Sequence, residues 1–199
     1  MTVRSISLSG RPALRLLLEI IETLALTLII FVVLQTFVAQ PFKVEGGSME
    51  RSLEPDEFVL VDKLTPRFDA YKRGDVVVFD PPEEWALPTM TPFIKRVIGM
   101  AGDRVEIHDG KVWVNGVALD EPYIYAPVEG GPPDATDANA EAGTWVVPAG
   151  ELFLMGDHRG SSEDSRVFGP VSVGSLLGRA WLRYWPVHAF TILSRPTYP

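Results

Sequence analysis

Residues 16–39 are an almost unbroken run of Leu, Ile, Val, Phe, Ala and Thr, interrupted by Glu19, Glu22 and Gln35. Few folds accept such a run. Roughly 20 consecutive apolar residues make a helix long enough to cross a bilayer core. The two glutamates fall near the N-terminal end, where they reach the interface or face a partner helix, and they trim the firmly apolar part to residues 23–39. A cleaved signal peptide is the first competing reading. Its apolar region is usually shorter, ~7–15 residues, and ends at a small-x-small site. Here Phe37, Val38 and Ala39 offer a bulky residue at the first of those positions. A buried soluble helix is the second, and Pro41 with an extended, polar-alternating chain directly after the run opposes it. The run reads as a retained transmembrane anchor. Arg4, Arg11 and Arg15 precede it and no acid does. The positive-inside rule then puts residues 1–15 in the cytoplasm and residues 40–199 outside, as a single-pass protein.

Beyond the anchor the period changes to that of strands. Residues 57–64 and 75–79 are short β-branched runs bounded by Pro and Gly, and residues 93–99 are another. Residues 104–107 lead to Asp109 and Gly110, residues 111–114 follow, and then come Asn115 and Gly116. Asp-Gly and Asn-Gly are tight-turn signals, so this stretch is a small meander of hairpins with Val112 and Val114 on one buried face. Residues 145–147 and 152–155 look like strands again, residues 156–166 are polar and turn-rich, and residues 176–182 and 189–193 are each strand or short helix. Residues 126–143 are acidic, rich in Pro, Gly and Ala, and read as a surface loop. The expected fold is mainly β: one N-terminal transmembrane helix, then an antiparallel sheet or barrel-like domain over residues 40–199, with a small hairpin and loop insertion at 104–155.

Composition narrows the function. Of the 199 residues, 46% are apolar and 22% charged, enough for one packed domain beside the anchor. A net charge of −8 argues against a nucleic-acid partner. The part beyond residue 39 is acidic, so its overall charge does not draw it to anionic lipid. There is no cysteine, hence no disulfide, thiolate nucleophile or thiolate metal site. His108, His158 and His188 are scattered without metal-ligand spacing. No metal, no cofactor and a monomer are expected.

Residues 42–53, FKVEGGSMERSL, carry the chemistry that composition allows. Phe42 and Val44 begin as a strand, Gly46 and Gly47 let the backbone bend, and Ser48 follows at the bend. Alone, such a serine is a turn residue. A hydroxyl becomes a nucleophile only with a base beside it, and Lys95, Lys63, Lys43 and His158 are the candidates. On a strand Lys95 shares a face with Phe93 and Val97, while Arg96 points the other way. Apolar surroundings disfavour an ammonium and bring a lysine from ~10.4 toward the ~7–8 useful to a general base. Arginine stays protonated. Each lysine alone reads better as a solvated charge with its stem on apolar neighbours.

Four stretches taken together go further. Ser48 and Met49 follow Gly46 and Gly47. Gly74-Asp75-Val76-Val77-Val78-Phe79 comes next, then Lys95-Arg96-Val97-Ile98-Gly99 through Gly102 and Asp103, then Gly156-Asp157 through Ser162, Asp164, Ser165 and Arg166. In this order, behind one membrane segment, the chain resembles the bacterial type I signal peptidases from the anchor to about Arg179, the 126–143 loop excepted. These are membrane-anchored serine proteases that remove signal peptides from exported preproteins. The resemblance implies that Ser48 is the nucleophile and Lys95 the general base. It implies that Ser162 hydrogen-bonds and orients the lysine amine, with Asp164 and Arg166 as a structural ion pair behind the site. The Ser48 backbone N–H would be an oxyanion donor, a contribution of ~3–4 kcal/mol. Pockets for small residues at the first and third positions before the cut, an Ala-x-Ala site, would be lined by Phe42, Val44, Met49, Leu53, Phe93 and Ile94. Three departures stand out. Arg51 and Ser52 replace a usual Pro-Thr, Gly46 stands where some relatives have a serine oxyanion donor, and His158 replaces a usual asparagine. A self-cleaving Ser/Lys repressor and a membrane-tethered adaptor without chemistry are the alternatives. The anchor and the lack of a DNA-binding segment oppose the first. The presence of both reactive side chains opposes the second.

Overall fold

The structure is a computed structural model that describes residues 12–82, 91–138 and 143–198. Arg4 and Arg11 lie outside the described residues, as do residues 139–142 of the acidic loop. The chain divides into two units, one ending at Val38 and one beginning at Ala39.

The first unit is helix α1 (Pro12–Val33), continued by a π-helical turn over Leu34–Val38. Its described part begins at Pro12, four residues before the apolar run. At 1.5 Å per residue the 22 residues of α1 reach about 33 Å, against ~30 Å of bilayer hydrocarbon. None of the helix's residues is buried. By length and composition it can cross a membrane. Ala39, expected at the end of the helix, is already a strand residue.

The second unit is β throughout its core. In chain order the described strands are β1 (Ala39–Lys43), β2 (Phe58–Asp62), β3 (Val76–Phe79), β4 (Phe93–Gly99), β5 (Arg104–His108) and β6 (Lys111–Val114). They continue as β7 (Val117–Ala118), β8 (Thr144–Val146), β9 (Glu151–Met155), β10 (Val171–Ser172), β11 (Leu176–Trp185) and β12 (Thr191–Ile192). The larger sheet has the order β1-β2-β11-β3-β4-β9-β10, with β12 on β11, and its pairs are antiparallel. The smaller has the order β7-β6-β5-β8. Helix α2 (Ser165–Phe168) is a single turn.

Sequence explains the layering. β3 reads Val-Val-Val-Phe with no polar alternation, as expected of a strand buried on both faces. Val76 and Val78 join the cluster of Val44, Met49, Leu53, Val59, Val61 and Ala180. Val77 and Phe79 join Val97, Leu152, Leu154 and Val171 on the other side. The hairpin signals act as expected: Asp109 and Gly110, and Asn115 and Gly116, have positive φ values of 53° and 71°, and 53° and 80°. Both residues of a type I′ turn require this. The insertion is shorter than 104–155. β9 pairs with β4 in the larger sheet, because Leu152 to Met155 is a continuous apolar run that both sides bury.

Candidate active site

Ser48 sits on one turn of chain between β1 and β2. Val44 closes the strand by donating to Glu57 O at 2.8 Å, and Gly46 reverses the chain with φ +73°. Leu53 N then donates to Met49 O at 2.8 Å. Met49 and Leu53, one helical turn apart, are both fully buried. Burial of each contributes roughly 2–3 kcal/mol and fixes the turn to the core from below.

Lys95 comes from the middle of β4, opposite Val77 on β3. It is 4% exposed, and its Nζ stands 5.1 Å from the centre of the Phe93 ring. Nζ donates to Ser48 Oγ at 2.6 Å and to Ile94 O at 3.2 Å. Burial pushes the amine down from its ordinary 10.5 to about 8. The carboxylates of Asp164 and Asp157 oppose that push and Arg166 assists it. About a tenth of the amine is then neutral at pH 7. In that form the 2.6 Å contact reverses, and Oγ–H donates to the lysine lone pair.

A cleft of about 280 Å³ opens beside this pair, with Phe42, Val44, Phe93 and Ile94 among its walls. The other two expected pocket residues, Met49 and Leu53, do not line it. Their side chains point into the core, since the turn that presents Ser48 outward has to send its apolar residues inward. Among the described residues no acceptor is placed on the Ser48 backbone N–H.

Behind the pair lies a set of buried charges. Asp164 caps α2 by accepting from Arg166 N, and receives Arg166 Nε at 2.8 Å, Ser162 Oγ at 2.7 Å and Gly156 N at 3.0 Å. Burial alone would raise this carboxyl, but the Arg166 guanidinium and the other donors hold it below its usual range. Ser162 thus bonds to Asp164, whereas the described bonds of Lys95 Nζ go to Ser48 and Ile94. Gly156 is required by close approach. A Cβ there would stand 2.6 Å from Ser162 Cβ and meet the Ser48 carbonyl oxygen.

Sequence reasoning missed two further pairs. Arg96 clasps Asp157 through Nε at 2.8 Å and Nη2 at 2.6 Å. Arg159 clasps Glu121 at 2.6 and 3.1 Å and donates to Thr136 Oγ1 at 2.8 Å. One signal was available: apart from Lys95, Arg96 stands alone among apolar residues of its strand, and a buried guanidinium demands a carboxylate. These pairs also set the surroundings of His158. Asp157 and Arg159 flank it in sequence but are taken by Arg96 and Glu121. The carboxylates that face the imidazole are Glu50, at 2.8 Å from Nδ1, and Asp134, at 3.9 Å from Nε2.

A serine hydroxyl against a buried, readily neutralised amine, beside an apolar cleft and an uncommitted backbone N–H, is equipped for acyl transfer by a serine-type peptidase. Comparison with known proteins agrees. Residues 17–185 match the family described as signal peptidase, peptidase S26, and the chain belongs to that family. Signal peptidase I of Leptolyngbya laminosa is 36% identical over 185 residues, covering 90% of this chain and 85% of that one. Signal peptidase IB of Staphylococcus aureus is 31% identical over 182 residues, covering 87% and 92%. A crystal structure of a signal peptidase I from Enterococcus faecalis overlaps 56% of this chain and 97% of that one, at a TM-score of 0.42 and 30% identity.

Proposed function

We infer that this chain is a membrane-anchored endopeptidase that removes signal peptides from exported preproteins, with Ser48 as nucleophile and Lys95 as general base. The 2.6 Å contact between Lys95 Nζ and Ser48 Oγ, with the lysine buried, carries the assignment. Neutral Lys95 takes the hydroxyl proton as Oγ attacks the carbonyl of the last signal-peptide residue. The Ser48 N–H steadies the negative oxygen that forms. The ammonium then gives its proton to the departing amine, and water hydrolyses the acyl-enzyme with Lys95 again as base. Ser162 and Arg166 act through Asp164, whose carboxylate they hold.

The substrate lies extended along the cleft beside Val44 or residues 93–95, so alternate side chains enter apolar pockets. The walls given by Phe42, Val44, Phe93 and Ile94 favour Ala at the first and third positions before the cut. Helix α1 spans the bilayer as a single pass. The arginines before the apolar run support a cytoplasmic N-terminus and an extracytoplasmic catalytic unit. The working form is a monomer with residues 1–15 as tail, 16–39 as anchor and 40–199 as catalytic domain. The family match begins inside the anchor, at residue 17, and favours this reading over a self-cleaving repressor.

The test uses the full chain in detergent with an Ala-x-Ala preprotein. Wild type cleaves it at that site, and Ser48→Ala and Lys95→Ala do not. Cleavage by both variants would overturn the assignment.

A further inference from the structure

Below, the nucleophile turn is held by Met49 and Leu53. Its polar residues are held elsewhere, by a segment the catalytic reading leaves unused, residues 121–138. Arg51 has φ +80°, a left-handed conformation disfavoured for a residue with a side chain. Its Nη1 donates to Ile124 O at 2.6 Å. Its neighbour Glu50 folds its carboxylate over Gly47, so closely that a Cβ on Gly47 would collide with it. The same carboxylate meets His158 Nδ1 at 2.8 Å. The His158 ring stacks on Tyr125, with centroids 4.0 Å apart and planes 23° apart. The His158 backbone N–H donates to Ser48 O at 3.0 Å. Tyr125 is itself fixed: its N–H donates to Asp157 O at 3.0 Å, and its carbonyl accepts from Asp134 N at 2.9 Å.

Two independent contacts thus run from the turn to adjacent loop residues, Arg51 to Ile124 and Glu50 through His158 to Tyr125. Neither Glu50, Arg51, Tyr125 nor His158 is among the walls of the cleft, so a role in substrate contact does not explain them. We propose that Glu50, Arg51 and His158 are positioning residues, and that residues 121–138, through Ile124 and Tyr125, form the frame that keeps Ser48 Oγ against Lys95 Nζ. The two glycines ahead of Ser48 leave the turn free to swing, and a displacement of about 1 Å at a reacting atom is enough to cost on the order of 100-fold in rate.

The proposal rests on the Ser48–Lys95 peptidase reading, and the same assay separates the two. The full chain in detergent is given an Ala-x-Ala preprotein, with Ser48→Ala as blank. Arg51 is exposed, so Arg51→Ala leaves the core untouched. Arg51→Ala and Tyr125→Ala each lower kcat by on the order of 10- to 100-fold, with KM within about threefold of wild type. Tyr125→Phe keeps the stacked ring and stays at the wild-type rate. The double variant Arg51→Ala/Tyr125→Ala loses clearly less than the product of the two single losses, because both contacts hold one turn. Wild-type kcat in both alanine variants would overturn the proposal. So would a loss confined to KM, or an equal loss in Tyr125→Phe and Tyr125→Ala. A wild type no more active than Ser48→Ala would refute the peptidase reading itself, and this inference with it.

Discussion

Lys95 and Ser48 meet at 2.6 Å, yet different physics holds each of them. Lys95 is a strand residue, and β4 has a hydrogen-bonded neighbour on either side, β3 and β9. Its position is averaged over two ladders, and no single side chain decides it. Ser48 stands on a turn preceded by two glycines, and a handful of side chains decide where it sits: Met49 and Leu53 below, the Asp164 cluster behind. On the proposed reading the sheet supplies a rigid base whose amine burial has made weakly basic, and the turn supplies a nucleophile whose placement single substitutions can spoil. Changes at the lysine should therefore touch chemistry and spare the fold, and changes around the serine's supports should touch both.

Lys95→Met gives the largest effect and separates chemistry from folding most cleanly. Turnover falls by at least ~10³-fold, since a dyad without its base keeps only the residual catalysis of the remaining site. The fold persists and gains stability. The buried amine titrates at about 8 against its ordinary 10.5. Between these values the unfolded chain binds more protons than the folded one, so wild-type stability rises with pH across that window. At pH 7 the penalty of burying the charge is up to about 3 kcal/mol. Denaturant melts at pH 7 and pH 10 check this: the variant should be the more stable at pH 7 and should lack the rise. A large loss of stability in Lys95→Met would break the contrast.

Asp164→Ala is the opposite case. It leaves Arg166 buried without its carboxylate and removes the acceptor for Gly156 N and Ser162 Oγ. Stability should fall by about 3–5 kcal/mol by chemical denaturation, and activity should fall with it. Retained stability would show that the buried pair is dispensable. Leu53→Ala comes next, with a loss of about 2–5 kcal/mol from the emptied core and a lowered kcat at a temperature where the variant is still folded. The smallest effect belongs to Lys43→Ala. The Lys43–Asp56 pair at 2.7 Å lies on the surface, 47% and 82% exposed. Melting should not change measurably.

The contrast also explains what could be read from the sequence. The proposed base was legible only in part: period two puts Lys95 on one face with Phe93 and Val97, but a lysine so placed reads first as a solvated charge, and it is the resemblance that implies its role. The hairpins were legible because Asp-Gly and Asn-Gly state their own backbone angles. Two buried charge pairs near the site were not. Arg96 meets Asp157 61 residues away, and Arg159 meets Glu121 38 residues away. Such pairs arise from the order of strands in the sheet, which local pattern does not encode. Met49 and Leu53 are cleft residues only by what the resemblance implies for their motif positions. A turn exposes its reactive residue by burying those neighbours, and that direction emerges only when the core beneath is known.

The pH dependence of kcat/KM on an Ala-x-Ala preprotein tests the central claim, that neutral Lys95 activates Ser48, most directly. Rate should rise with pH along an acid limb whose midpoint is about 8, the value to which burial lowers the amine. The midpoint should stay there in His158→Asn, whatever that variant does to the height of the profile. A midpoint in the ordinary histidine range that vanishes in His158→Asn would contradict the account and make this a Ser/His enzyme.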